Sequence, residues 1–223
     1  MGSFVDCFSR ISPEHSQNAL GLWREYRKMQ PDNPNYTQKK KLAIDSMVDI
    51  HKHQIEGWLI KWAQHLNKEK HAGFAALNLA FAYFEGHMIF YKGEDSTNNS
   101  KKFFKEGIEA VFPFNDNTIW SNTSLSKDQQ DDALEILYKG GRCGAFHSCI
   151  ARKGIVLWDN LFVFYLHIDE NTSHVIAISI DRHKFVSNIS KHFLNYIKLL
   201  QNPKETILRE NFEKALIIFE NKN

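Results

Sequence analysis

The sequence predicts a mainly α fold: an antiparallel helical bundle, then a small β-hairpin and two C-terminal helices. Three observations carry that expectation. Apolar residues recur at helical spacing over Lys41–Leu66 and Asp181–Leu200. After the glycine-rich segment the periodicity changes, and runs rich in β-branched and aromatic residues between Ile155 and Ile180 read as strands. A hydrophobic share of 43% and a charged share of 24% are those of a globular chain and exclude disorder as its general state.

Ser12-Pro13-Glu14 reads as a helix start with proline in the first turn, and Leu20, Trp23 and Tyr26 follow on neighbouring turns. Pro31-Asp-Asn-Pro34-Asn ends that helix, because two prolines and three turn-forming side chains cannot continue it. From Lys41 to about Leu66, Ile44, Met47, Val48, Ile55, Trp58, Leu59 and Trp62 mark one face of a helix. A helix from about Lys70 to Tyr91 is apolar almost all round, which predicts a central position. Glu85 is the exception within it, and a carboxylate on a buried helix needs a partner, for which Arg142 is one candidate. Ser100 or Asn99 caps a shorter helix to Val111, and Ser126 with Gln129 forms a capping box for another through Leu134 and Leu137. Strands are expected at Ile155–Trp158, Leu161–Ile168 and Val175–Ile180, with Asp169–Ser173 turning the last two into a hairpin. A helix with Phe185, Ile189, Phe193 and Ile197 on one stripe follows, Asn202-Pro203 ends it, and a last helix carries Leu208, Phe212, Leu216 and Phe219. The expected organisation is a single domain in three parts: an N-terminal helix and linker (1–40), the helical bundle (41–151), and the hairpin with its C-terminal helices packed on the bundle (152–223).

A net charge of +2 excludes a global field that would draw the chain to nucleic acid or an anionic membrane, so such a role has to rest on a local patch. Three cysteines, Cys7, Cys143 and Cys149, make no disulfide framework. No run reaches the roughly 18 apolar residues of a membrane span. The N-terminus shows no secretory pattern, and Asp6 stands where myristoylation prefers Ser or Thr. The expected compartment is the cytoplasm, with no membrane partner.

One such patch exists. Between Ile136 and Trp158 there is no acidic residue, while Lys139, Arg142, Arg152 and Lys153 are cationic. A basic edge at a helix C-terminus is the plain explanation; a phosphate- or RNA-binding site is the other. Arg142-x4-His147 favours the second, since arginine clamps an anion with a planar fork and histidine exchanges a proton near neutral pH. On a regular α-helix the two side chains would stand about 140° apart. They converge only if Gly140, Gly141 and Gly144 bend the chain, or if a two-fold dimer sets one copy's His147 against the other's Arg142.

Arg142-x4-His147 near the end of a helical bundle resembles the signature of the HEPN (higher eukaryote and prokaryote nucleotide-binding) superfamily, and most closely its abortive-infection-like and uncharacterised bacterial members. Gly141, Arg142, Cys143, Gly144, Phe146 and His147 carry the match, within a helical context of roughly residues 41–151. The resemblance implies a homodimer with paired motifs lining a cleft, acting on RNA without metal or other cofactor in defence or stress. It leaves room for a neutralising partner protein. In that picture Arg142 polarises the scissile phosphate, His147 is the general acid or base, and Gly140, Gly141, Cys143 and Gly144 shape the turn. One position departs: Cys143 follows the arginine where active members carry Asn, Asp or His. A non-catalytic interaction module is therefore the runner-up, and a metal hydrolase a distant third, because His51, His53, His65, His71 and His87 lack ligand partners at metal-binding spacing.

Overall fold

The computed structural model describes residues 13–143, 154–159 and 161–222. It is mainly helical with one small sheet. In chain order come α1 (Pro13–Lys28), α2 (Tyr36–Gln54), a wide π-helical turn (Ile55–Ile60), α3 (Lys61–Leu66), α4 (Gly73–Lys92), α5 (Ser100–Val111) and α6 (Lys127–Ile136). A second π-helical turn (Leu137–Cys143), β1 (Ile155–Leu157), β2 (Phe164–Ile168), β3 (Val175–Ile180), α7 (Arg182–Gln201) and α8 (Thr206–Asn221) complete it. No helix among the described residues is long and apolar enough to cross a membrane. The described residues group into two compact units. One holds the residues up to Trp58, Ile89–Asp95 and those from Leu194; the other holds Leu59–Met88 and Ser96–Phe193.

In the first unit α1 packs on α2, with Leu20, Trp23 and Tyr26 buried along the stripe their spacing marks. The proline-containing break closes with the Asn35 amide on the Asn33 carboxamide, 2.9 Å. α2 starts directly after Asn35, five residues ahead of the expected Lys41, because this turn already aligns the backbone. Ile44, Met47 and Val48 enter the core. His51 joins them, its ring centroid 4.2 Å from Phe90 and 5.4 Å from Phe212. Burial pushes its pKa down to about 3, so the imidazole is neutral. Glu213 on α8 is also buried. Its carboxylate accepts the Tyr26 hydroxyl and meets Lys40 Nζ at 2.8 Å.

Aromatic rings fill the second unit. Phe84 lies within ring-contact range of Phe104, Phe112 and Phe185, and Phe112 stacks on Phe185 at 5.1 Å. α5 approaches α4 so closely that a Cβ on Gly107 would sit 2.7 Å from the Phe84 carbonyl oxygen, so glycine is required there. β2 and β3 form the expected antiparallel hairpin, with the Asn171 and Thr172 amides on the Asp169 carboxylate in the turn. β1 adds in parallel on the other side of β3, giving the order β1-β3-β2 and a three-stranded sheet rather than a hairpin alone. β2 begins at Phe164, not Leu161. Leu161 is exposed, whereas Phe164 is buried, stacks on Trp120 at 4.3 Å and bonds to the Ile119 carbonyl. Ser12, named as a helix start, lies outside the described residues.

Candidate functional site

α6 opens with both bonds of the expected capping box, Ser126 Oγ to the Gln129 amide and Gln129 Oε1 to the Ser126 amide. It buries Ala133 and Leu134, then widens at Leu137 into the π-helical turn ending at Cys143. In that turn each backbone bond spans one residue more than in an α-helix, so the 140° separation drawn for a regular helix does not apply up to Cys143. The glycines explain where the turn can sit. Gly140 and Gly141 are buried, and a Cβ on Gly141 would lie 2.5 Å from the Phe81 ring. Only a bare backbone comes that close to α4.

Seating the turn on α4 brings Arg142 to Glu85. Its Nη2 donates to Glu85 Oε2 at 2.6 Å, a charge-assisted bond. Ser100 Oγ donates to the same oxygen at 2.7 Å and Ser96 Oγ to the other at 2.9 Å. The carboxylate foreseen as needing a partner on a largely buried helix is thus satisfied from three sides. Its side chain is 18% exposed and that of Arg142 31%, so the pair is shielded below and wet above. Tyr138 stands beside it, with the guanidinium 5.9 Å from its ring centroid. Burial, and then the bond with the Cys143 thiol, raise the pKa of its phenol.

A second carboxylate, Glu135, gathers cations nearby. Lys101 and Lys105 of α5 each reach Glu135 Oε2 at 2.8 Å, and Lys139 reaches Oε1 at 3.0 Å. Burial alone would raise the pKa of Glu135, but the three ammoniums outweigh it and hold it down to about 2. Lys101 also lies 5.9 Å from the Tyr138 ring.

Of the residues singled out in the sequence, Lys139, Gly140, Gly141, Arg142 and Cys143 therefore share one turn. Gly144, Phe146, His147, Cys149, Arg152 and Lys153 lie outside the described residues. The segment that is acid-free in sequence is not so in space: Arg142 faces Glu85 from α4, and Lys139 faces Glu135 one turn earlier. Ser96, Lys101 and Lys105 were not singled out in the sequence, and Ser100, expected only as a helix cap, bonds to Glu85 instead. The signal that could have found the lysines is their spacing of four on an amphipathic helix, which places both on one face.

The histidines have their own places. His53, His65 and His71 are exposed; His87 is buried, stacked on Tyr83, whose hydroxyl is 2.9 Å from His192 Nδ1. Among the described residues no three His, Cys, Asp or Glu side chains form a group that could hold a metal ion. No protein-family model matches the chain, and the comparisons with curated proteins and with solved structures find no match.

Proposed function

We propose that the Arg142 turn is a phosphate-binding site for RNA and that, with His147, it cleaves the RNA backbone without metal, as the resemblance to HEPN ribonucleases implies. The observation that carries the reading is the state of Arg142. Glu85 fixes one terminal nitrogen, while the side chain stays 31% exposed at the end of a turn seated through glycine. A guanidinium oriented in advance loses less freedom when it takes an anion, and its other N–H groups are still donors. In the reaction the ribose 2′-hydroxyl loses its proton to a base and attacks the adjacent phosphorus. The bond to the 5′-oxygen breaks and that oxygen takes up a proton. Arg142 stabilises the charge on the phosphoryl oxygens, and His147 serves as general acid or base. A homodimer with paired turns is part of the same proposal.

The Glu85 pair also favours a second reading, in which Arg142 only neutralises a shielded carboxylate and the protein is a non-catalytic interaction module. Incubation with total RNA and excess chelator separates the two. The nuclease cuts RNA, and His147→Ala abolishes cutting while the melting temperature is kept. Intact RNA in every condition, from protein shown to be folded, leaves the interaction module.

A further inference from the structure

We infer that Lys101 and Lys105 of α5 extend the Arg142 site into a track of four cations for the backbone of single-stranded RNA, held in line by Glu135. The inference rests on the RNA reading above and names two contacts that reading does not contain. The ion pairs at Glu85 and Glu135 join four cations (Lys101, Lys105, Lys139 and Arg142) to two carboxylates, an excess of two positive charges within those pairs.

Stability alone gives no reason for that excess. One ammonium would neutralise Glu135. The second and third add mutual repulsion, and like charges four residues apart, as Lys101 and Lys105 are, weaken a helix. Such a cluster is relieved by a further anion. Tyr138 ties the two halves together, with Lys101 and Arg142 each 5.9 Å from its ring centroid. Ser100, next to Lys101, bonds to Glu85, so α5 reaches both carboxylates.

The track has an end. Lys101 and Lys105 also line a groove of about 420 Å³ between α5 and α6, and on its far side Lys102 and Lys127 are opposed by Glu106, Glu109 and Asp131, with Lys127 pairing with Asp131 at 3.1 Å. The surplus of positive charge lies towards Arg142, where the proposed cleavage happens. A ligand with charges repeated along a chain suits it better than a single small anion.

The test measures anisotropy of a fluorescein-labelled single-stranded RNA with chelator present, over a range of salt, in a His147→Ala background that prevents cutting. The Lys101→Gln/Lys105→Gln variant should bind roughly tenfold more weakly at low salt, with a salt slope shallower by about 0.7 for each phosphate contact removed. Lys127→Gln should bind like the parent. Glu135→Gln, which frees three ammoniums, should bind several-fold more tightly. Unchanged affinity and slope in the double variant would overturn the inference. So would weaker binding by Glu135→Gln alongside a lowered melting temperature, which would make the cluster a structural clasp. Displacement by a polyglutamate peptide as effective as by unlabelled RNA would transfer the surface to an acidic protein. If the double variant with His147 restored still cuts RNA at an unchanged KM, the RNA reading stands and the lysine track falls. If no form binds RNA, both fall.

Discussion

Glu213 and Glu85 are both carboxylates set on helices and met by a cation from another element, yet their remaining partners differ. Glu213 lies within a closed arrangement of Tyr26, Tyr36 and Lys40, its own side chain only 11% exposed. Glu85 is surrounded by two serines and Arg142, and the arginine keeps about a third of its surface in water. The two cations are similarly exposed, Lys40 at 37% and Arg142 at 31%, so what separates the sites is the carboxylate and its other partners. Glu213 is the more buried and accepts a tyrosine hydroxyl, whereas Glu85 accepts two serine hydroxyls and a planar guanidinium.

That contrast makes an ordered set of stability predictions, all read by urea unfolding. Glu213→Ala should cost most, about 3 kcal/mol, because it leaves the Tyr26 hydroxyl with Tyr36 alone, unpairs Lys40 and empties a buried position. The acid side comes next. His51 has its pKa lowered to about 3 by burial, and burial lowers that of His192 as well. The unfolded chain therefore binds protons the folded one refuses, and stability falls as pH drops below about 6.5. His51 alone contributes about 1.4 kcal/mol per pH unit down towards pH 3. His51→Leu should flatten that slope between pH 6 and about pH 5, above the range in which carboxylates titrate. A slope unchanged by the substitution would show that His51 is not the neutral core group described.

Gly141→Ala should cost about 2 kcal/mol, since the new Cβ meets the Phe81 ring, and Phe81→Leu should restore part of it. Arg142→Ala should cost least, about 1 kcal/mol, because water and two serines remain to solvate Glu85. A loss as large as that of Glu213→Ala would erase the difference between the two carboxylates and make Arg142 a structural residue.

Much of the fold could be read from local pattern. The stripe Ile44, Met47, Val48 became core, Ser126 and Gln129 became a capping box, and Asp169–Ser173 became the hairpin turn. What escaped depends on distance in the chain. β1 contributes three residues to a parallel pair, too few to show a period. The first π-helical turn keeps apolar spacing that an α-helical template also fits, and the second has Lys, Gly, Gly and Arg at 139–142, with no apolar period to read. The two compact units are each assembled from separated stretches, which no boundary in the sequence marks. At the candidate site, Glu85 was legible because a charge on an apolar helix demands a partner. The gathering at Glu135 was not, because a window along the chain compares Lys139 with its neighbours and never with Lys101 and Lys105 on another helix.

The reaction itself offers the most direct measurement: a short RNA and the same sequence made of 2′-deoxynucleotides, each incubated with the protein and chelator, with the product ends identified by mass. The account predicts that only the RNA is cut, leaving a 2′,3′-cyclic phosphate and a 5′-hydroxyl, and that His147→Ala leaves it whole. Equal cutting of both strands, or an RNA untouched by the folded wild-type protein, would contradict it.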